Sequence, residues 1–124
     1  MLFVGIGGIF GAISRFLLGK WITSKSSSSL PFGTWIINIS GSFVLGFLAV
    51  LHLGNGIPDW IWLLCGIGFL GAFTTFSTFG YETIQLLQKR DRRQAVIYVS
   101  SSVVLGVLVA WLGGLLGLSF PNLL

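Results

Sequence analysis

Long apolar stretches separated by short polar ones run through the whole chain. A helix that crosses a bilayer needs about 20 mostly apolar residues, and four stretches meet that length. They extend from about Leu2 to Ile22, Phe32 to Leu53, Trp60 to Leu87 and Ala95 to Leu118. A serine-rich loop at 23–29, a Gly- and Pro-containing turn, a charged cluster and the final Pro121 separate or end them. The pattern predicts an all-α membrane protein, with residues 1–124 forming one four-helix transmembrane domain.

The third stretch is too long for one straight span. From Pro58 to Gln88 it would measure roughly 46 Å as a helix, whereas the hydrocarbon core is about 30 Å thick. Glycine, serine and threonine concentrate in its middle, between Gly66 and Gly80. Interrupted backbone at this depth is tolerated only against protein, water or an ion. We therefore predict that the third helix is broken at its middle. The alternative is a tilted, continuous helix whose small residues allow close packing.

Small residues also recur at helix-packing spacing outside the third stretch. The first helix has Gly7 and Gly11 four residues apart, and the fourth has the row Gly106, Ala110 and Gly114. Such rows let two helix backbones approach each other closely. They predict a compact bundle and carry no chemistry of their own.

The composition excludes an ordinary soluble enzyme. Hydrophobic residues make up 54% of the chain and charged residues 8%, and the mean hydropathy is +0.95. Soluble domains are about 25% charged. With one histidine, His52, and one cysteine, Cys65, the chain lacks the ligands of a zinc or haem-c scaffold. In sequence His52 has no acidic neighbour and Cys65 lies in an apolar stretch, so we expect no enzymatic activity.

The basic residues lie almost entirely on one side of the predicted bundle. Six of the seven lysines and arginines flank the first and third loops, and none lies near the second loop or either terminus. The positive-inside rule then places both loops in the cytoplasm and both termini outside. Because topology accounts for these charges, the net charge of +4 does not indicate nucleic-acid binding.

Polar residues inside membrane spans usually face a partner or a pathway. Arg15 either lines a water-filled vestibule or extends to the nearby interface. For the other polar side chains, hydrogen bonds between helices are the alternative to a role in a pathway. No carboxylate falls at the middle of a span, because Glu82 is predicted near the interface. That favours an anion or a neutral solute over a cation. The candidates on the last three helices are Asn38, Thr74, Thr75, Ser77, Thr78, Tyr98 and Ser102.

Three motifs give the chain a strong resemblance to the Fluc (CrcB) fluoride channels. They are GGIFGAISRF at 7–16, GTWIINISGSF at 33–43 and GFLGAFTTFSTF at 68–79, the last followed by Glu82. Together with four predicted spans, the resemblance covers essentially the whole chain. It implies a passive plasma-membrane channel through which fluoride leaves the cytoplasm, assembled as an antiparallel dimer around a structural sodium ion.

The resemblance also assigns roles to individual residues. The main-chain carbonyls of Gly71 and Thr74 correspond to the sodium ligands, and the sodium is not transported. Arg15 corresponds to the arginine of the first helix, at a vestibule. The residues that match the fluoride pathway are Asn38, Phe76, Phe79, Ser77, Thr78, Tyr98 and Ser102. Ring edges of the two phenylalanines and hydroxyl or amide donors would replace the water around fluoride.

The charge bias bears on the expected dimer. A self-paired antiparallel dimer requires the chain to insert in both orientations, which suits a chain with little Lys/Arg bias. The chain therefore pairs either with itself or with an oppositely oriented paralogue, within membrane lipid. The alternative function is a small multidrug-type, proton-coupled exporter. That class requires a mid-membrane carboxylate on the first helix, where this chain has only Arg15.

Overall fold

The computed structural model describes residues 1–25 and 30–120, and every regular element in these ranges is a helix. The serines at 26–29 and Pro121, which the sequence places in a loop and after the last helix, lie outside the described residues. The elements are α1 (Leu2–Lys25), α2 (Phe32–Leu53), α3 (Asp59–Ile61), a π-helix π1 (Trp62–Leu70), α4 (Gly71–Phe73), α5 (Ser77–Gln88) and α6 (Arg92–Leu118).

Four segments are long and apolar enough to cross a membrane, as the sequence predicts. They are α1, α2, the composite segment Asp59–Gln88 and α6. The composite third span is broken, because α4 ends at Phe73 and α5 begins at Ser77. Between them, Thr74 has extended backbone, with ψ of 155°. The prediction of a third helix broken at its middle is therefore confirmed.

Helix α1 packs backbone to backbone against π1 through two of the predicted glycines. A Cβ atom added at Gly7 would lie 2.0 Å from the Leu64 carbonyl oxygen, and one at Gly11 would lie 2.1 Å from that of Phe69. Neither position has room for any side chain. The sequence did not predict the π-helix, which is a rare form usually limited to a single turn.

Helices α2 and α6 form the second closely packed pair. A Cβ atom at Gly46 would lie 2.1 Å from the Ala110 carbonyl oxygen, and one at Gly113 equally close to that of Phe43. Gly106, by contrast, has no such neighbour, since the nearest atom to an added Cβ is the Ser42 hydroxyl oxygen at 3.8 Å. The tight contact on α6 thus includes Gly113 rather than Gly106.

The buried apolar side chains form two small clusters on either side of the break. One joins α2 to π1 and α4 through Ile37, Leu70 and Phe73. The other joins α5 to α6 through Leu86, Ala95 and Tyr98. Many other large apolar side chains are exposed, as expected for helices that face lipid.

The turn between α2 and α3 corrects one expectation about His52. In the fold its Nε2 lies 3.1 Å from Asp59 Oδ1, so the histidine does have an acidic neighbour. Its ring also stacks on Trp62, with centroids 5.0 Å apart and planes 11° from parallel. These contacts fasten the end of α2 to the start of the third span, and they lie apart from the polar residues at the break.

The glycine contacts of α1 give a testable prediction. Gly7→Ala should lower the free energy of unfolding by about 1–3 kcal/mol, because its methyl group would overlap the Leu64 carbonyl and force the helices apart. Gly5→Ala is the matched control, since nothing lies within 4 Å of its added Cβ. Unfolding of the two variants in detergent measures the difference. Equal stability of both variants would contradict the packing described.

Candidate functional site

The break in the third span is held by one side chain from α2. Asn38 Nδ2 donates to the Thr75 carbonyl oxygen at 2.9 Å, and the Thr75 amide N–H donates back to Asn38 Oδ1, also at 2.9 Å. The carboxamide therefore satisfies both main-chain polar groups of a residue outside any helix. Without those bonds, each group would remain unsatisfied in an apolar surrounding, at a cost of several kcal/mol.

The same break frees the two carbonyls that the resemblance assigns to sodium. In an unbroken helix the Thr75 N–H would donate to Gly71 and the Thr78 N–H to Thr74. Here the Thr75 N–H donates to Asn38 Oδ1 instead, and the Thr78 N–H donates to the Thr75 hydroxyl at 3.2 Å. Within the described residues no group of three His, Cys, Asp or Glu side chains could bind a metal. Carbonyl oxygens are the kind of ligand that a hard cation takes.

Thr75 is also the centre of a short hydroxyl network. Its Oγ1 donates to Thr78 Oγ1 at 3.2 Å and lies 3.5 Å from Ser77 Oγ. The Thr75 side chain is buried, whereas Ser77 and Thr78 are exposed in the single chain. The structure thus brings the hydroxyls of Ser77 and Thr78 within 3.5 Å of the Thr75 hydroxyl.

A groove of about 310 Å³ opens beside the break, between α2, α5 and α6. Six of the residues singled out from the sequence line it: Asn38, Thr74, Thr75, Phe76, Phe79 and Ser102. The Ser102 hydroxyl is buried and has no hydrogen-bond partner among the described residues. Ser42, whose hydroxyl donates to the Asn38 carbonyl at 2.7 Å, completes the polar wall.

The two phenylalanines lie side by side at this groove. Their ring centroids are 6.1 Å apart, and the Phe76 ring is 85% exposed in the single chain. Tyr98 does not line the groove. It is 2% exposed and packs behind Phe79, with centroids 5.1 Å apart, and its hydroxyl also has no partner among the residues described.

A second cavity, of about 600 Å³, opens at the end of the bundle that carries the basic loops. Arg15 and Lys20 from α1 line one wall. Glu82 lines another, and it accepts a hydrogen bond from the Thr34 hydroxyl at 2.5 Å. Glu82 therefore pairs with Thr34, and no ion pair joins it to Arg15 within residues 1–25 and 30–120. We call this cavity the vestibule.

Thr75 lines both cavities, so the vestibule and the groove meet at the break. One face of α2 runs along both of them, because Thr34, Asn38 and Ser42 are spaced four residues apart. Thr34 lies in the vestibule, and the other two lie in the groove. Together these groups make a polar line from the basic end of the bundle to its middle.

Sequence reasoning gave Thr34 no site role and named Thr75 only as one of several polar candidates on the third helix. The four-residue spacing of Thr34, Asn38 and Ser42 is the signal that marks a polar face on α2. Nothing in the sequence distinguishes Thr75 from its neighbours Thr74 and Thr78, because its role depends on which residue falls in the gap between two helices.

Comparison with known proteins places this arrangement in a family. A family model described as "CrcB-like protein, Camphor Resistance (CrcB)" matches residues 2–114. The chain belongs to the CrcB family. With its four apolar spans, this member is a multi-pass membrane protein.

Relatives resemble the chain along nearly its whole length. It is 47% identical over 112 residues to "Fluoride-specific ion channel FluC 1" of Geobacillus kaustophilus, covering 90% of this chain and 92% of the relative. It is 44% identical over 116 residues to "Fluoride-specific ion channel FluC 2" of Bacillus cereus, covering 94% and 95%. A protein of the same name from Moorella thermoacetica is 44% identical over 114 residues, covering 92% and 93%. These relatives are named as ion channels and not as enzymes.

The Asn38 bonds give a second prediction. Asn38→Ala should lower the free energy of unfolding by about 2–4 kcal/mol, because it leaves both main-chain groups of Thr75 unpaired in an apolar surrounding. Ser40→Ala is the control on the same helix, where an exposed hydroxyl donates only to the Ile37 carbonyl. Denaturant titration in mixed micelles measures the free energy of unfolding of both variants. A loss no larger for Asn38→Ala than for Ser40→Ala would mean that the amide does not hold the break.

Proposed function

We propose that the chain is a fluoride channel through which fluoride leaves the cytoplasm passively, lowering its concentration there. The observation that carries the proposal is the buried Ser102 hydroxyl, a hydrogen-bond donor with no described partner that faces a groove built around the break. The names of the relatives support fluoride as the ion. A proton-coupled exporter has less support, since the membrane-embedded acid of this chain, Glu82, is bonded to Thr34 at the vestibule.

The lining of the groove suits an anion that holds its water tightly. Asn38 has two amide hydrogens, and one remains after the bond to the Thr75 carbonyl. The Ser102 hydroxyl adds a second donor, and the edges of the two phenylalanine rings carry weak positive charge. Donors in fixed positions compensate a small anion for the water it loses. They compensate chloride less, because chloride is larger and hydrogen-bonds more weakly.

The vestibule supplies the entry for the ion. Arg15 and Lys20 raise the local concentration of anions at its mouth, and the hydroxyls of Thr78 and Thr75 continue from there towards the groove. The positive-inside rule places this end of the bundle in the cytoplasm and both termini outside. Fluoride would then move down its gradient from the vestibule, past the break, and along the groove.

A dimer completes the pathway in this proposal. An apolar depression of about 750 Å³ lies between α1, α2 and π1, lined by side chains such as Phe10, Val44 and Phe73. We infer that an antiparallel second chain, either another copy or an oppositely oriented paralogue, covers this surface. In this proposal the partner also covers the exposed Phe76 ring and the open side of the groove, which has no lining residue in common with the depression.

Sodium fits the same interface. The freed carbonyls of Gly71 and Thr74 lie on backbone that is not fully buried, and an added Cβ at Gly71 would meet nothing within 4 Å. Two carbonyls are too few for a hard cation, and two from each of two chains make four. The ion would be structural, because it would tie the two breaks together without entering the groove.

Flux through the groove is testable with two serines of α6. In liposomes, Ser102→Ala should slow fluoride efflux by about tenfold or more, because it removes a donor worth roughly 1.5–3 kcal/mol to a charged acceptor. Ser100→Ala, on an exposed position two residues away, should conduct like the unaltered chain. Chloride efflux should stay low in the unaltered chain and in both variants. Unchanged fluoride efflux in Ser102→Ala would remove the groove from the pathway.

Sodium removal tests the interface separately. Replacing sodium chloride with N-methylglucamine chloride at equal ionic strength should lower both the dimer fraction and the melting temperature of the protein in detergent. Equal ionic strength keeps charge screening constant, so a difference reports the specific cation. The proposed sodium site is wrong if dimer fraction and melting temperature are the same in the two salts.

A further inference from the structure

A turn between α5 and α6 carries most of the positive charge of the chain. Lys89, Arg90, Arg92 and Arg93 occupy four of its five positions, and all four side chains are exposed. We call residues 89–93 the basic turn. It is independent of the vestibule, because none of its residues lines that cavity.

Nothing among the described residues neutralises these charges. The acidic residue within the turn, Asp91, is used to cap α6, because its carboxylate accepts the Gln94 amide N–H at 3.3 Å. The ion pair found in the described ranges joins His52 to Asp59, in the turn between α2 and α3. The basic turn therefore presents four cationic groups that lack an acidic side chain as partner there.

Two features of the turn are locally unfavourable. Arg90 has φ of 58°, in the left-handed region that glycine or asparagine usually occupies. Arg92 and Arg93 lie in the first turn of α6, where the helix dipole repels cations. The positive-inside rule requires basic residues near the loop but not in these positions. A bound anion would offset the repulsion at Arg92 and Arg93.

Two hydrogen bonds order the backbone of the turn. The Arg90 N–H donates to the Leu87 carbonyl at 3.0 Å, and the Asp91 N–H donates to that of Leu86, also at 3.0 Å. These bonds close the end of α5 in the manner of a Schellman turn. An anion that binds there would meet a backbone that is already ordered, which reduces the entropy lost on binding.

The surroundings of the turn identify the anion. The turn joins two membrane-spanning segments, so it lies at the level of the lipid headgroups. Exposed apolar side chains follow within two turns on both helices: Leu87 and Ile84 on α5, and Val96 and Ile97 on α6. A ligand here would meet cations at the interface and apolar surface immediately below. We infer that the basic turn binds the phosphate of an anionic phospholipid, whose acyl chains cover the apolar surface of α5 and α6.

Native mass spectrometry of the purified chain tests this inference. The unaltered protein should retain phosphatidylglycerol at least about tenfold more strongly than phosphatidylcholine of the same acyl chains. Arg92→Gln with Arg93→Gln should abolish most of that preference, since two basic groups near an anionic headgroup, each contributing roughly fivefold, together account for about 25-fold. Lys20→Gln with Lys25→Gln removes the same charge from the same end of the bundle. This control pair should keep most of the preference.

Two further variants keep the test decisive if the glutamine pair does not fold. Arg92→Lys with Arg93→Lys preserves the charge and should keep most of the preference for phosphatidylglycerol. Arg90→Gly should raise the melting temperature in phosphatidylcholine, because glycine adopts the left-handed conformation without strain, and should weaken phosphatidylglycerol retention. Equal retention of the two lipids by the unaltered protein would overturn the inference. So would an equal loss of preference in the glutamine pair and the Lys20/Lys25 control, since that would reduce the effect to net charge.

Discussion

The architecture depends on the exchange of two hydrogen bonds between the Asn38 amide and the main chain of Thr75. A polypeptide can stop being helical inside a bilayer only if another group satisfies its backbone. Asn38 does this for Thr75, accepting its N–H and donating to its carbonyl, each at 2.9 Å. Three consequences follow: the third span breaks after Phe73, the Gly71 and Thr74 carbonyls lose their helical donors, and the vestibule meets the groove.

Close helix packing places Asn38 where it can act. Glycines bring α1 against π1 and α2 against α6 with almost no side chain between the backbones, as at Gly11 and Gly113. In lipid, such contact replaces the hydrophobic driving force that packs soluble helices. It leaves α2 next to both halves of the third span, so that one face of α2 can line both cavities.

Much of this organisation could be predicted from the sequence, because the bilayer imposes strict length and polarity rules. The bounds of α2 and the interruption of the third helix follow from apolar length and from clustered small and hydroxyl residues. The hydrophobic pattern does not predict π1, whose carbonyls at Leu64 and Phe69 lie against α1. The role of Thr75 was missed because it depends on the residue at which α4 ends.

Two positions also differ from what spacing suggests. Tyr98 and Ser102 are four apart on α6, yet only Ser102 lines the groove, because the Tyr98 ring lies behind Phe79. His52 gains Asp59 as a neighbour only when the turn folds back. In both cases the surroundings of the side chain depend on contacts between helices, and the spacing of residues along one helix does not predict those contacts.

Thr75 provides the most direct test of the account, because it lines both cavities. Fluoride efflux from liposomes should be compared for Thr75→Val and Thr75→Ser, with melting curves to establish that both fold. Valine keeps the shape and the main-chain bonds to Asn38 but removes the hydroxyl, whereas serine keeps the hydroxyl. The account predicts that Thr75→Val loses most fluoride efflux and that Thr75→Ser retains it. Efflux by folded Thr75→Val at the rate of the unaltered chain would contradict a fluoride path across the break.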